Sequence, residues 1–233
     1  MGCNYVMLCV CILLFVAVAA QIISYALPGW VRFEPTNDVY NSTSRLHIEY
    51  AAGKEYASGL WFTCQGSISD CDNWIDKSLE RAKDAGECTL DDIQSIGLGK
   101  GTKPCRKYGN EEITMWVTQG IGLVLLAVAL VFAILATIAF CCNCCGDCCI
   151  GLCKFIVLLV SMMASMSITC GLVLYGVNFA EDHYRKQVLI DHYIINVNSM
   201  SLYYSFALSA LAAIFGLLAA IVAAFSRNDD GKV

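Results

Sequence analysis

Four apolar runs dominate the sequence, and each is long enough to cross a lipid bilayer as a helix. They cover residues 5–27, 113–140, 155–179 and 200–225, and a helix needs about 20 residues to span a hydrocarbon core of roughly 30 Å. Charged residues make up only 15% of the chain, against about 25% in soluble domains. We therefore predict an all-α four-helix transmembrane bundle, whose spans are joined by loops at 28–112 and 180–199 and a connector at 141–154, with a tail at 226–233.

The first run has a second interpretation as a cleaved signal peptide. Ala17-Val18-Ala19 follows an apolar core in the small-residue pattern of a signal-peptidase site. The residues before this core include no Lys or Arg, and the apolar run continues to Pro28. A retained first span is favoured on these two grounds.

The composition of the spans argues against several classes of function. None of the four runs contains Asp, Glu, Lys, Arg or His, the residues that mark proton relays and coupled transporters. The net charge of −5 includes no basic block, so nucleic acid is not an expected partner. We find no catalytic or cofactor motif and no set of polar residues within the spans, and we expect neither an enzyme nor a bound cofactor.

The loop at 28–112 carries the signals of an oxidising compartment. Its four cysteines indicate two disulfides, and Asn41 begins a glycosylation sequon that needs the same exposure. Both place the loop outside the cell and the termini in the cytoplasm, although the few basic residues of the short loops lean weakly the other way. The spacing favours Cys64 with Cys71 and leaves Cys88 with Cys105, while a pairing of Cys64 with Cys105 around the other two stays open.

Seven cysteines crowd into residues 141–153. Cysteines at the cytoplasmic membrane surface are typical S-acylation sites, through which lipid chains hold the connector to the bilayer. A metal site is the alternative, but the connector lacks histidine, and the pairs Asp182-His183 and Asp191-His192 are more typical of solvated loops. We predict no metal and expect acylation at Cys141, Cys142, Cys144, Cys145, Cys148 and Cys149.

Period-two alternation in the first loop predicts a small antiparallel sheet, held by the expected disulfide. Strands are expected in VRFEP and in SRLHIEYAAGKEYASGLWFTC, with a turn at Gly53-Lys54. Residues 72–85 instead show helical spacing and predict a short amphipathic helix. Small residues at every fourth position, such as Ala212, Gly216 and Ala220, predict close packing between the spans.

Several of these residues together resemble a known signature. Trp30, then Gly59-Leu60-Trp61, then Cys64 and Cys71 lie between spans one and two of four, an order similar to the W-GLW-C-C motif of the claudin and peripheral-myelin-protein superfamily. That superfamily also contains epithelial membrane proteins and gamma-type auxiliary subunits of channels and receptors. The chain departs from claudins in its longer first loop, with the extra pair Cys88 and Cys105, and this difference is more like the channel subunits.

The resemblance implies a function in recognition at the plasma membrane. By analogy with claudins, copies would associate with one another in cis and in trans at cell–cell junctions, forming a barrier or a cation path, with contacts from Trp61, Phe62 and residues 183–195. Asp70 and Asp72 would then be pore charges, or else solvated turn residues, and the terminal Val233 is similar to a PDZ-domain ligand. By analogy with the auxiliary subunits, the partner would be an ion channel or receptor.

Overall fold

Four long helices form the greater part of the computed structural model, which describes residues 5–40, 48–60, 62–65, 71–73, 110–142, 147–190 and 193–229. Each helix contains a segment long and apolar enough to cross a membrane. The predicted four-span architecture is confirmed at this level. The helices are α1 (Tyr5–Ala26), α2 (Asn110–Cys142), α3 (Asp147–Arg185) and α4 (Tyr204–Asp229).

The chain divides into two compact units. The helical unit comprises Met1–Tyr25, Met115–Val173 and Ala207–Val233, and the sheet unit comprises Ala26–Thr114 and Leu174–Phe206. Three helices end where the sequence favours it. Pro28 follows α1 and cannot continue a helix, and Lys186 adopts a left-handed conformation, with φ of 52°, directly after α3.

Small side chains hold the helical unit together. Ala129, Ala212 and Ala220 are buried between helices, and a Cβ on Gly216 would lie 2.6 Å from Oγ of Ser165 on α3. Such close approach is how helices associate in lipid, where no hydrophobic force draws them together. The prediction that these small residues pack within the chain is confirmed, while larger aliphatic side chains such as Val124 face outward.

The sheet unit contains an antiparallel sheet of six strands with a separate two-stranded ribbon. In chain order the strands are β1 (Val31–Pro35), β2 (Val39–Tyr40), β3 (Ile48–Tyr50), β4 (Tyr56–Ser58), β5 (Phe62–Gln65), β6 (Cys71–Asn73), β7 (Gln187–Ile190) and β8 (Tyr193–Leu202). Their order across the larger sheet is β6-β5-β4-β1-β8-β7, and β2 pairs with β3. The predicted antiparallel sheet is confirmed, but it is not confined to the first loop.

Two expectations about this unit are wrong. Asp72 and Asn73 lie in β6 rather than in the predicted helix, because they pair with β5 across a short connection; the remainder of that helix, from residue 74 onward, falls outside the described part of the chain. The second loop contributes β7 and β8, which were not predicted. Strand β8 continues to Leu202, where the fourth span was expected to have begun.

An aromatic core lies on one face of the sheet. Val31 and Phe33 alternate with exposed neighbours along β1, and the Phe33 ring stacks on Tyr56 with centroids 5.6 Å apart. Tyr50 meets Tyr56 edge-on at 5.1 Å, and Phe179 of α3 packs against the same cluster. Burial of large aromatic rings in these geometries stabilises the sheet beyond what its few strand residues could achieve.

Candidate functional site

Trp30 joins three segments of the sheet unit. Its N–H donates to the Ser58 carbonyl of β4 and its own carbonyl accepts from Tyr203 N–H, both at 3.0 Å. The fully buried indole meets Tyr175 edge-on at 4.9 Å and Phe206 at 6.0 Å. The first residue of the predicted motif therefore ties β1 to its neighbours on both sides.

The next motif residues pack against the chain just before Trp30. A Cβ on Gly59 would lie 2.6 Å from the Leu27 carbonyl oxygen and from Pro28 Cα, and since both are backbone atoms neither can move aside. Leu60 is fully buried. The glycine is thus required by a close approach of two backbone segments, and the motif forms a structural junction.

The start of α4 completes this junction. The Ser205 N–H, which would have no partner within its own first turn, donates to the Gly29 carbonyl at 2.7 Å. The Ser205 hydroxyl donates to the Leu27 carbonyl at 3.4 Å. Residues 27–30, 58–60 and 203–206 therefore meet at one point, although they are far apart in the sequence.

The cysteines of the motif lie opposite each other in the sheet. Cys64 of β5 and Cys71 of β6 are direct cross-strand partners, and Cys64 is buried. Directly opposed residues in antiparallel strands have Cα atoms about 4.5–5.5 Å apart, within the range that a disulfide spans. The backbone register therefore suits the favoured pairing.

A polar face covers the side of the sheet away from the aromatic core. Arg32 of β1 forms an ion pair and hydrogen bond with Glu55, and its guanidinium lies 5.7 Å from the centroid of the Tyr203 ring. The hydrogen bond and the negative charge of Glu55 raise the pKa of Arg32 above its usual value. The pair is exposed, so solvent screens it strongly.

The end of α3 presents exposed side chains from the predicted contact segment. Tyr184 is 90% exposed, and the His183 ring lies 5.8 Å from that of Phe179. Lys186 is fixed by two backbone hydrogen bonds, from its N–H to His183 and from Val197 N–H to its carbonyl. A surface of aromatic and basic groups results, held by the backbone of α3 and β8.

Several predicted site residues fall outside the described part of the chain. Asp72 is in the described strand β6, and Cys141, Cys142, Cys148 and Cys149 lie at the adjoining ends of α2 and α3. Within the described residues no three possible metal ligands come together. Outside lie Asn41, Trp61, Asp70, Cys88, Cys105, Cys144 and Cys145.

A buried polar cluster inside the helical unit was not expected from the sequence. Gln119 of α2 accepts hydrogen bonds at Oε1 from Gln21 Nε2 of α1, at 2.7 Å, and from the Ser209 hydroxyl of α4, at 2.9 Å. Its Nε2 donates to the Ile168 carbonyl of α3 at 3.1 Å. One side chain therefore bonds to all three other helices, and the expectation that the spans hold no set of polar residues is wrong.

A sequence signal for this cluster exists. Gln21 and Gln119 are the only glutamines in the four predicted spans, and a buried polar group in lipid must find a hydrogen-bond partner. The amides do not titrate, so the cluster can fix the arrangement of helices but offers no proton-relay chemistry.

Four apolar helices with an antiparallel sheet define a multi-pass membrane protein. The sequence matches no protein-family model and has no significant match among curated proteins.

Proposed function

We propose that this chain is a claudin-like membrane protein that mediates contact between cells and forms a paracellular barrier or a cation-selective path. The observation that carries the proposal is the junction at Trp30 and Gly59, where the motif residues lie together at the base of the sheet. The four apolar helices and the sheet that adjoins them in the sequence agree with the same resemblance.

The orientation and covalent chemistry of the chain belong to this proposal. The sheet faces the cell exterior at the plasma membrane, with both termini in the cytoplasm. A disulfide joins Cys64 to Cys71, as their opposition across β5 and β6 supports. Asn41 carries a glycan, and the cysteines of the 141–153 connector are acylated.

A rigid sheet suits a contact role because docking surfaces lose less entropy when their shape is fixed beforehand. The aromatic core, the cross-strand cysteines and the backbone bonds at Lys186 all restrain this surface. Tyr184 stands exposed beside it, and exposed tyrosines supply contact area at low entropic cost. We expect Tyr184 to contribute to contact with the partner molecule.

Contact enrichment in cells that lack junctions tests the proposal. Cells expressing a tagged copy are mixed with untransfected cells, and the fluorescence at contacts between two expressing cells is compared with that at mixed contacts. Enrichment at the first kind alone supports adhesion in trans. Equal fluorescence at both kinds of contact rejects it.

Matched tyrosine variants localise the contact. Tyr184→Ala should reduce the enrichment, while Tyr5→Ala, at another strongly exposed tyrosine, should leave it unchanged because residue 5 is assigned to the cytoplasmic end. Electrical resistance and dilution potentials of filter-grown monolayers then separate a barrier from a cation path. A preference for cations that is lost in Asp72→Asn would assign a pore charge to Asp72.

A second candidate function is that of an auxiliary subunit of an ion channel or receptor. The long insertion between β6 and α2, with Cys88 and Cys105, favours it. Co-purification of a channel with the tagged chain, without enrichment at contacts, would support this role against the first.

A further inference from the structure

A small groove lies at one edge of the six-stranded sheet. His183 and Lys186 line it together with Val197, Asn198, Ser199 and Met200 of β8. Its volume is about 280 Å³, below the roughly 300–1,000 Å³ of sites that enclose a drug-sized ligand. The groove suits a single side chain of a docking protein better than a small-molecule ligand.

The chemistry of the groove favours an acidic group. Lys186 supplies a positive charge, His183 and Asn198 supply further hydrogen-bond donors, and Val197 is buried beneath them. Among the residues that the structure describes, no carboxylate forms an ion pair with Lys186. A carboxylate entering the groove would gain a charge-assisted hydrogen bond.

The opposite edge of the same sheet carries the complementary charge. Strand β6, with Asp72 at its centre, is the last strand on that side, and Lys186 directly precedes β7, the last strand on the other. Five strand spacings separate the two edges, about 24 Å at roughly 4.8 Å each. One copy therefore cannot bring its own Asp72 to its own Lys186.

We propose that the acidic edge of one copy docks at the basic groove of a second copy in the same membrane, with Asp72 facing Lys186. The inference rests on the proposed self-association of the chain and names the surfaces that form it. Because the two surfaces differ, the contact is heterologous and each docked copy leaves one free edge of either kind. Repetition gives an open row of molecules rather than a closed dimer.

Charge reversal tests this contact in single cells that touch no neighbour. Energy transfer between differently labelled C-terminal tags is measured at matched surface density, so the readout does not depend on adhesion between cells. Lys186→Glu and Asp72→Lys should each lower the apparent association constant about fivefold, as expected when a partly exposed attraction becomes a repulsion. Lys54→Glu, the same charge change at an exposed turn, should have no effect.

Mixing the two reversed variants provides the decisive arm. Co-expressed Lys186→Glu and Asp72→Lys chains present opposite charges to each other at every contact, so association should return to within about twofold of wild type. Restoration also shows that both variants are folded. If one fails to reach the surface, Lys186→Gln and Asp72→Asn should each give a loss of about twofold.

Three results would overturn the inference. The first is unchanged association in either single reversal, and the second is no recovery on mixing. The third is a loss in Lys186→Glu alone, which would assign the groove to a different anionic occupant such as a sulfated glycan. Contact enrichment between neighbouring cells that persists under any of these results would leave the proposed function standing.

Discussion

Replacing Gln119 with methionine removes the centre of the buried polar cluster while keeping the length of the side chain. The change deletes the bonds to Gln21, Ser209 and the Ile168 carbonyl. Interhelical hydrogen bonds in membranes contribute about 0.6 kcal/mol each on average, so their loss costs about 2 kcal/mol. Gln21 Nε2 is then left buried without its acceptor, which costs about 1 kcal/mol or more. We expect Gln119→Met to lower the free energy of unfolding by about 3 kcal/mol.

Reversible unfolding of the purified chain in lipid bicelles measures this quantity, with Thr118→Val as the matched control. Thr118 is the neighbour of Gln119, but its hydroxyl donates only within its own helix, to the Met115 carbonyl at 2.9 Å. We expect the control to lose less than about 0.5 kcal/mol.

A double variant then separates the hydrogen bonds from changes in packing. Gln21→Met combined with Gln119→Met removes both partners together, so it should cost less than the sum of the two single changes. If Gln119→Met were no more destabilising than Thr118→Val, or if the two glutamine changes were additive, the cluster would not hold the helices as we infer.

Three further predictions concern the sheet unit and are measured by thermal or chemical unfolding in detergent. Gly59→Ala should cost about 1–3 kcal/mol because its Cβ meets backbone, whereas Gly151→Ala, with open space around it, should be neutral; equal effects would contradict the close approach. Lys186→Gly should raise the midpoint temperature by about 2 °C, since glycine tolerates its positive φ; a lower midpoint would refute this. Cys64→Ser should cost about 2.5 kcal/mol through loss of the short loop closed with Cys71, and reductant should destabilise only the wild type.

The first-loop strands were predictable because their patterns are local. Val31 to Pro35 alternate between buried and half-buried positions, and Gly53 adopts the positive φ of 72° that the expected turn needs. The alternation of Asn196, Val197 and Asn198 in β8 was equally regular. It was overlooked because an apolar segment beside a predicted span is easily assigned to that span, whereas its partner β1 is distant in sequence.

The polar cluster could be only partly anticipated. The occurrence of Gln21 and Gln119 within apolar runs is visible in the sequence, and burial in lipid demands a partner for each. Which groups meet depends on helix rotation and register, set by many small packing contacts such as that of Gly216 with Ser165. A single sequence specifies the demand for hydrogen bonds but not the geometry that satisfies it.

The pairing of β1 with β8 has a consequence for the synthesis of the chain. Arg32 lies opposite Ser201, and at about 5–20 residues per second the ribosome delivers the second strand on the order of 10–30 seconds after the first. During that delay β4, β5 and β6 are already available, so a Cys64–Cys71 bond can form while one edge of β1 still waits. The nascent hairpins must therefore be shielded from foreign strands until the final helix is threaded.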